Sequence, residues 1–198
     1  SGQTCTALTR MLVPYSRYDE VLLHAKQAAE KITIGDPLNS LNFMGPMSSK
    51  KQQDIVVSYI KKGIEEGASL LTGGIEKPNG LDTGFYIRPT IFSDVNNKMV
   101  IAQEEIFGPV LCIIPYQTLD EAVSIANDSP FGLSAAVWSD TKEHALTVAR
   151  KVNAGQVFLN GAEFNYKAPF GGFKQSGNGR EWGIAGAMEY IELKSIQF

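Results

Sequence analysis

Apolar and polar positions along the 198 residues follow two alternating periods. Residues 7–13 (ALTRMLV) read as a strand that stops at Pro14. Tyr18, Val21, Leu22, Ala25, Ala28, Ala29 and Ile32 recur at helical spacing. Ser16, with Asp19 three residues on, has the form of a capping box at the start of that helix. Residues 35–48 carry Gly, Pro, Asn and Ser and predict a loop. A second amphipathic helix is expected over 49–66, with Ile55, Val56, Tyr59, Ile60 and Ile64 on one face and Gly67 as its stop. Strands are expected at 68–72, at 85–92 with Pro89 marking an irregular position, at 110–116, at 133–138 and at 156–159. The 110–116 run (VLCIIPY) is almost continuously apolar, as a strand buried on both faces would be. Thr118 and Glu121 form another capping box before a helix that ends ahead of Pro130, and residues 141–152 predict one more helix, closed by Ala154-Gly155. Residues 190–198 alternate as a half-buried strand.

This rhythm of strands and helices implies an α/β fold: a largely parallel, open sheet with helices on both faces. In such sheets chemistry collects in loops beyond the carboxyl ends of the strands. Three loops are rich enough to matter: residues 1–6, 103–109 and 160–180.

Composition narrows the function classes. The net charge of −3, from 18 Lys+Arg and 21 Asp+Glu, argues against phosphate-backbone binding, so no nucleic-acid partner is expected. No apolar run reaches the ~20 residues of a spanning helix, so no membrane partner is expected. Cys5 and Cys112, with only two histidines, fit neither a disulfide framework nor a metal site, and the cytoplasm is the expected compartment. The chain opens Ser1-Gly2-Gln3 without a signal peptide, and it is expected to be the interior of a longer protein.

Cys112 lies in an apolar run and reads as structural. Cys5 lies in a polar stretch between Thr4 and Thr6, where it is either a small residue near a terminus or a reachable nucleophile. Glu104 and Glu105 read either as a solvated helix end or as carrying one carboxylate that accepts hydrogen bonds from the vicinal hydroxyls of a ribose. Phe107, beside a Gly-Pro turn, offers either core packing or a flat face for a planar ring. The glycines of 169–180 match neither the Walker-A pattern nor G-x-G-x-x-G, so a shaped loop with Phe170 as an apolar wall is the stronger reading there. Lys174 and Arg180 read as structural ion-pair partners.

Taken together, these segments resemble the NAD(P)-dependent aldehyde dehydrogenase superfamily. Gly2-Gln3-Thr4-Cys5 is similar to its G-Q-x-C motif, and Glu105-Ile106-Phe107-Gly108-Pro109 to E-x-F-G-P. Pro169-Phe170-Gly171-Gly172-Phe173-Lys174-Gln175-Ser176-Gly177 resembles P-F-G-G-x-K-x-S-G, and Val157-Phe158-Leu159-Asn160 resembles V-x-V-N. Gly84-Phe85-Tyr86 with Pro89-Thr90, and Asn127 with Phe131-Gly132-Leu133, follow in the family's order.

The resemblance implies the family's catalytic domain over residues 1–188, a C-terminal strand over 189–198 that starts a truncated oligomerisation element, and roles for particular residues. Cys5 would attack an aldehyde to give a thiohemiacetal and then a thioester, with its own N–H as half of an oxyanion hole. Glu105 would hold the nicotinamide ribose of NAD, NADP not being excluded, and Phe107 would contact the nicotinamide side. Thr4, Thr6 and Phe170 would line the substrate pocket, and Asn160 would brace the nucleophile loop. The partners implied are a small aldehyde, an N-terminal cofactor-binding half outside this chain, and further copies of the full-length protein in a homo-oligomer. No metal is implied. The 198 residues alone are expected to be inactive. A CoA-acylating dehydrogenase and an inactive structural or interaction module stay open as alternatives.

Overall fold

In the computed structural model, which describes residues 1–198, the chain forms two compact units, Ser1–Ile125 and Ala126–Phe198. The division between the units falls inside a helix, where no turn residue signals it. In the first unit four strands form one sheet: β1 (Arg10–Pro14), β2 (Ser69–Thr72), β3 (Thr90–Ser93) and β4 (Val110–Tyr116), in the order β1-β4-β3-β2. β4 pairs in parallel with β1 and β3, while β2 joins β3 antiparallel at the edge. The sheet is therefore mixed, and largely parallel.

β4 explains the apolar run. Its alternate residues Val110, Cys112 and Ile114 enter one core with Phe92, and Ile113 enters another with Ile91 and Val13. Helix α1 (Tyr18–Glu30) supplies Tyr18 and Ala29 to the second core. Helix α2 (Lys50–Glu65) supplies Val56 and Ile60 to the first, and the short α3 (Val100–Gln103) supplies Ile101. Helices thus cover both faces of the sheet, as the rhythm of elements implied. Each fully buried side chain of Phe92 or Ile60 size contributes about 1.5–3 kcal/mol.

Local signals were mixed in outcome. Ser49 caps α2 by accepting from the Gln52 N–H at 3.2 Å, and Gly67 follows the helix with φ +91°. Ser16 does not cap α1: residues Tyr15–Arg17 form a 3-10 turn first, and the N-cap Arg17 makes no side-chain cap bond. β1 starts later than expected and includes Pro14, whose missing N–H is tolerated at a strand end.

α4 (Leu119–Asn127) begins after Thr118, which accepts from the Glu121 N–H at 3.2 Å. The second unit holds two small sheets. β6 (Ser134–Val137) pairs in parallel with β7 (Gln156–Leu159), and α5 (Lys142–Ala149) connects them. β5 (Phe131–Gly132) pairs antiparallel with β8 (Phe173–Lys174). A last helix, α6 (Gly183–Met188), follows. The strand expected at 190–198 does not form. Its residues make no ladder, and Leu193, Ile196 and Phe198 are exposed, because alternation becomes a strand only beside a pairing partner.

Candidate active site

The site is assembled around the first turn of α2. Cys5 sits on a tight turn closed by the Ala7 N–H donating to the Thr4 carbonyl at 3.1 Å, which leaves its thiol exposed. The hydroxyls of Thr4 and Thr6 flank it, 3.4 Å apart. Gln3 anchors this turn through both ends of its amide. Its Nε2 donates to Ser48 Oγ at 2.9 Å, and its Oε1 accepts from the Ser48 N–H at 2.8 Å.

The same helix turn holds the segment 105–109. Gln52 Nε2 donates to the carbonyls of Ile106 and Phe107, both at 3.1 Å. Phe107 has φ +54°, a conformation that a bulky residue adopts at a cost and keeps only where neighbours hold it. Gly108 packs so tightly that a Cβ would lie 2.5 Å from Val56 of α2. Gly2, with φ +72°, sits over the Gly108 carbonyl. The structure therefore brings the Cys5 turn and the Glu105-to-Pro109 loop together.

The paired glutamates separate in role. Tyr59 Oη donates to Glu104 at 2.8 Å, and burial with that carboxylate raises the Tyr59 phenol above its ordinary range. Glu105 is exposed and Phe107 half-buried on the same short loop. The two are therefore two residues apart on the loop whose carbonyls Gln52 pins. Cys112 is buried where Cys5 is exposed. It is 1% exposed, donates to the Ile101 carbonyl at 3.4 Å, and burial pushes its thiol up to about 12.

Asn160 and Phe170 belong to the second unit. Asn160 follows β7 with φ +49°, and its Oδ1 accepts from the Ser139 N–H at 2.8 Å, tying the ends of the β6–β7 pair together. Phe170 forms a backbone bridge with Glu181, the two N–H···O bonds measuring 2.8 and 2.7 Å. Lys174 and Arg180 are structural, yet not ion-paired. Lys174 Nζ donates to the carbonyls of Asn127 and Ser129. Arg180 donates to those of Gly172, Asn178 and Gly179 and lies over the Phe173 ring. A turn rich in glycine leaves many carbonyls unpaired, and a guanidinium with five donors satisfies several at once.

Residue-by-residue reading missed Gln52 and Ser48. Gln52 looked like an ordinary polar residue of an amphipathic helix. A glutamine in a first turn, beside a good cap, was the only hint.

No helix is long and apolar enough to cross a membrane, and no cluster of three or more His, Cys, Asp or Glu is placed to hold a metal.

Residues 1–196 match the model of the aldehyde dehydrogenase family. The 3-succinoylsemialdehyde-pyridine dehydrogenase of a Pseudomonas species is 50% identical over 196 residues, which are 99% of this chain and 41% of that protein. The crystal structure of aldehyde dehydrogenase C from Pseudomonas syringae, a cysteine-to-alanine variant complexed with NAD+ and octanal, superposes with a TM-score of 0.94 at 50% identity. That match covers 96% of this chain and 39% of the other. The Mycobacterium tuberculosis aldehyde dehydrogenase complexed with NAD+ gives 0.93 at 46% identity, covering 96% and 39%. The chain spans about 40% of the length of these relatives. With its whole length but two residues matched by one family model, and half its positions identical to members that carry the same activity in their names, the chain belongs to the aldehyde dehydrogenase family.

Proposed function

We propose that this chain is the catalytic portion, of the C-terminal type, of an NAD(P)-linked aldehyde dehydrogenase, with Cys5 as its nucleophile. The observation that carries the reading is the joining of an exposed cysteine turn to the Glu105–Phe107 loop by one helix turn. The Cys5 thiolate attacks the aldehyde carbon, a C–S bond forms, and the carbonyl electron pair moves to oxygen. The Cys5 N–H stabilises that oxygen. When bound, NAD(P)+ supplies the hydride acceptor for the oxidation. Cys5 then carries the acyl group as a thioester until water releases a carboxylic acid and returns the thiolate.

Glu105 holds ribose hydroxyls and Phe107 faces the nicotinamide side. NAD is the preferred cofactor, since the Pseudomonas syringae and Mycobacterium tuberculosis relatives are described with NAD+. Thr4 and Thr6 line the aldehyde site beside Cys5. Residues 1–188 act as the catalytic domain and 189–198 as the start of an oligomerisation element. Turnover requires family sequence beyond these 198 residues.

The test is made in a protein of full family length that carries this chain. Incubation with an aldehyde and NAD+ at low pH, followed by digestion and mass spectrometry, should find the acyl group on the Cys5 peptide. Cys5→Ala should lower NADH formation by roughly three orders of magnitude or more. Full activity of Cys5→Ala, or an acyl group found only elsewhere, overturns the reading.

A further inference from the structure

In the first unit, a cavity of about 330 Å³ opens between the end of α1 and the turns that flank β2 and β3. Glu30 of α1 and Arg88, just ahead of β3, both line it, with Thr72, Gly73, Asn79 and Pro89. Gly73 closes one wall. It has φ +85°, and a Cβ there would lie 2.3 Å from the Pro89 carbonyl oxygen. Each charged head is fixed by a neighbour that lines the same cavity. Arg88 Nη2 donates to Asn79 Oδ1 at 3.3 Å and to the Lys77 carbonyl at 2.9 Å. The Thr72 hydroxyl donates to Glu30 Oε1 at 3.3 Å.

The two charges share the cavity without pairing with each other. Arg88 is half-buried and meets no carboxylate, and its Nε and Nη1 hydrogens have no acceptor in the protein. Glu30 meets one cation, Lys26 at 3.9 Å, in an exposed helix pair of the weak kind, and its Oε2 has no partner. A guanidinium with free donors on one edge matches a carboxylate, and a carboxylate with a free oxygen accepts from an ammonium. At ~30 Å³ per water the cavity holds about ten waters, which is room for a short amino acid. We propose that this cavity binds a small zwitterionic amino acid, its carboxylate on the free edge of Arg88 and its ammonium on Glu30. The binding needs neither Cys5 nor Glu105.

The experiment is isothermal titration of the family-length protein. The probes are glycine, β-alanine and 4-aminobutyrate, whose charged ends lie successively further apart, with butyrate and n-butylamine carrying one charged end each. At least one of the three amino acids should bind with a Kd below about 5 mM. It should bind at least five-fold more tightly than butyrate or butylamine. Arg88→Lys keeps the charge and loses the planar fork, and should weaken that amino acid five-fold or more. Glu30→Gln still offers an oxygen to Thr72 but no charge to an ammonium, and should weaken it five-fold or more. No heat with any of the three amino acids overturns the proposal, and so does an affinity that either substitution leaves unchanged. Butyrate bound as tightly as the amino acid would make the cavity a plain carboxylate site and overturn the zwitterion. Should Arg88→Lys fail to fold, Glu30→Gln on the exposed side of α1 decides alone, and an unchanged affinity there overturns the proposal.

Discussion

The α-carbon of Gly2 rests on the carbonyl of Gly108, so that a Cβ at Gly2 would lie 2.3 Å from that oxygen and 2.9 Å from the Pro109 nitrogen. Both glycines belong to different sequence motifs, and their contact is what brings the Cys5 turn against the Phe107 loop. Gly2 also has φ +72°, where an alanine is disfavoured by roughly 1–2 kcal/mol even without the clash. Gly2→Ala should therefore part the two loops. In the family-length protein kcat should fall at least ten-fold while the melting temperature drops only a few degrees. Unchanged kcat would show that the contact is incidental.

Glu104 and Glu105 are adjacent, yet their substitutions should differ sharply. The Glu104 carboxylate accepts from Tyr59 Oη, and a glutamine there still offers an accepting oxygen. Glu104→Gln should leave both substrate constants within two-fold. On the proposed role of Glu105, Glu105→Gln would remove charge-assisted bonds to ribose hydroxyls, each worth roughly 1.5–3 kcal/mol. Its KM for NAD+ should rise ten-fold or more with little change for the aldehyde. Steady-state kinetics with each substrate varied checks this, and equal effects of the two substitutions would remove the ribose role from Glu105.

The two cysteines should separate cleanly under alkylation. Iodoacetamide should label the exposed Cys5 in the native protein, and Cys112 only on unfolding. Burial raises the Cys112 thiol from 9.0 to about 12, so between those values the folded chain keeps a proton that the unfolded chain loses. Stability must then fall as pH rises from about 9 to about 12, and its Cys112 share is fully present below 9. At ~1.36 kcal/mol per unit the whole window is worth about 4 kcal/mol. Urea melts at pH 8 and pH 10.5 should show a smaller difference in Cys112→Val than in the wild type. Equal differences would mean that Cys112 does not titrate on unfolding.

What could be read from the residues depended on how local their cause was. β4 was legible because a strand with a core on each face must be apolar throughout, and Val110 to Ile114 are. α2 was legible because Ile55, Val56, Tyr59, Ile60 and Ile64 recur at helical spacing and Gly67 acts within a few positions of itself. The cysteine and glutamate loops were legible as motifs, but not as neighbours. Their contact depends on Gln52 and Gly108, whose partners are dozens of residues away in sequence. The two-residue pairs β5 and β8 carry no period at all, since they are set by where Ser176 and Lys174 return to the 127–132 turn. The unit boundary inside α4 left no mark, because a continuous helix pattern runs through it.

Gly67 and Gly155 should tolerate substitution in opposite ways, and the contrast separates torsion from space. Gly67 has φ +91° at the end of α2, and a Cβ there would meet nothing within 4 Å. Only the left-handed backbone opposes a side chain. Gly67→Ala should cost about 1 kcal/mol, and Gly67→Asn less, because asparagine visits that region more readily. At Gly155 the obstacle is space. A Cβ would lie 1.6 Å from the Gly171 carbonyl oxygen, and that atom is backbone that no rotamer change can move. Its loop is held further by Gly155 N–H donating to the Gly132 carbonyl at 3.0 Å, while Arg180 fixes the carbonyl of the neighbouring Gly172. Overpacking of this kind costs typically 1–3 kcal/mol, and a backbone clash belongs at or above the top of that range. Gly155→Ala should therefore destabilise more than Gly67→Ala by at least 2 kcal/mol in urea melts of the same protein. Near-equal losses would mean that the 171–180 turn yields easily, and that Arg180 does not hold it.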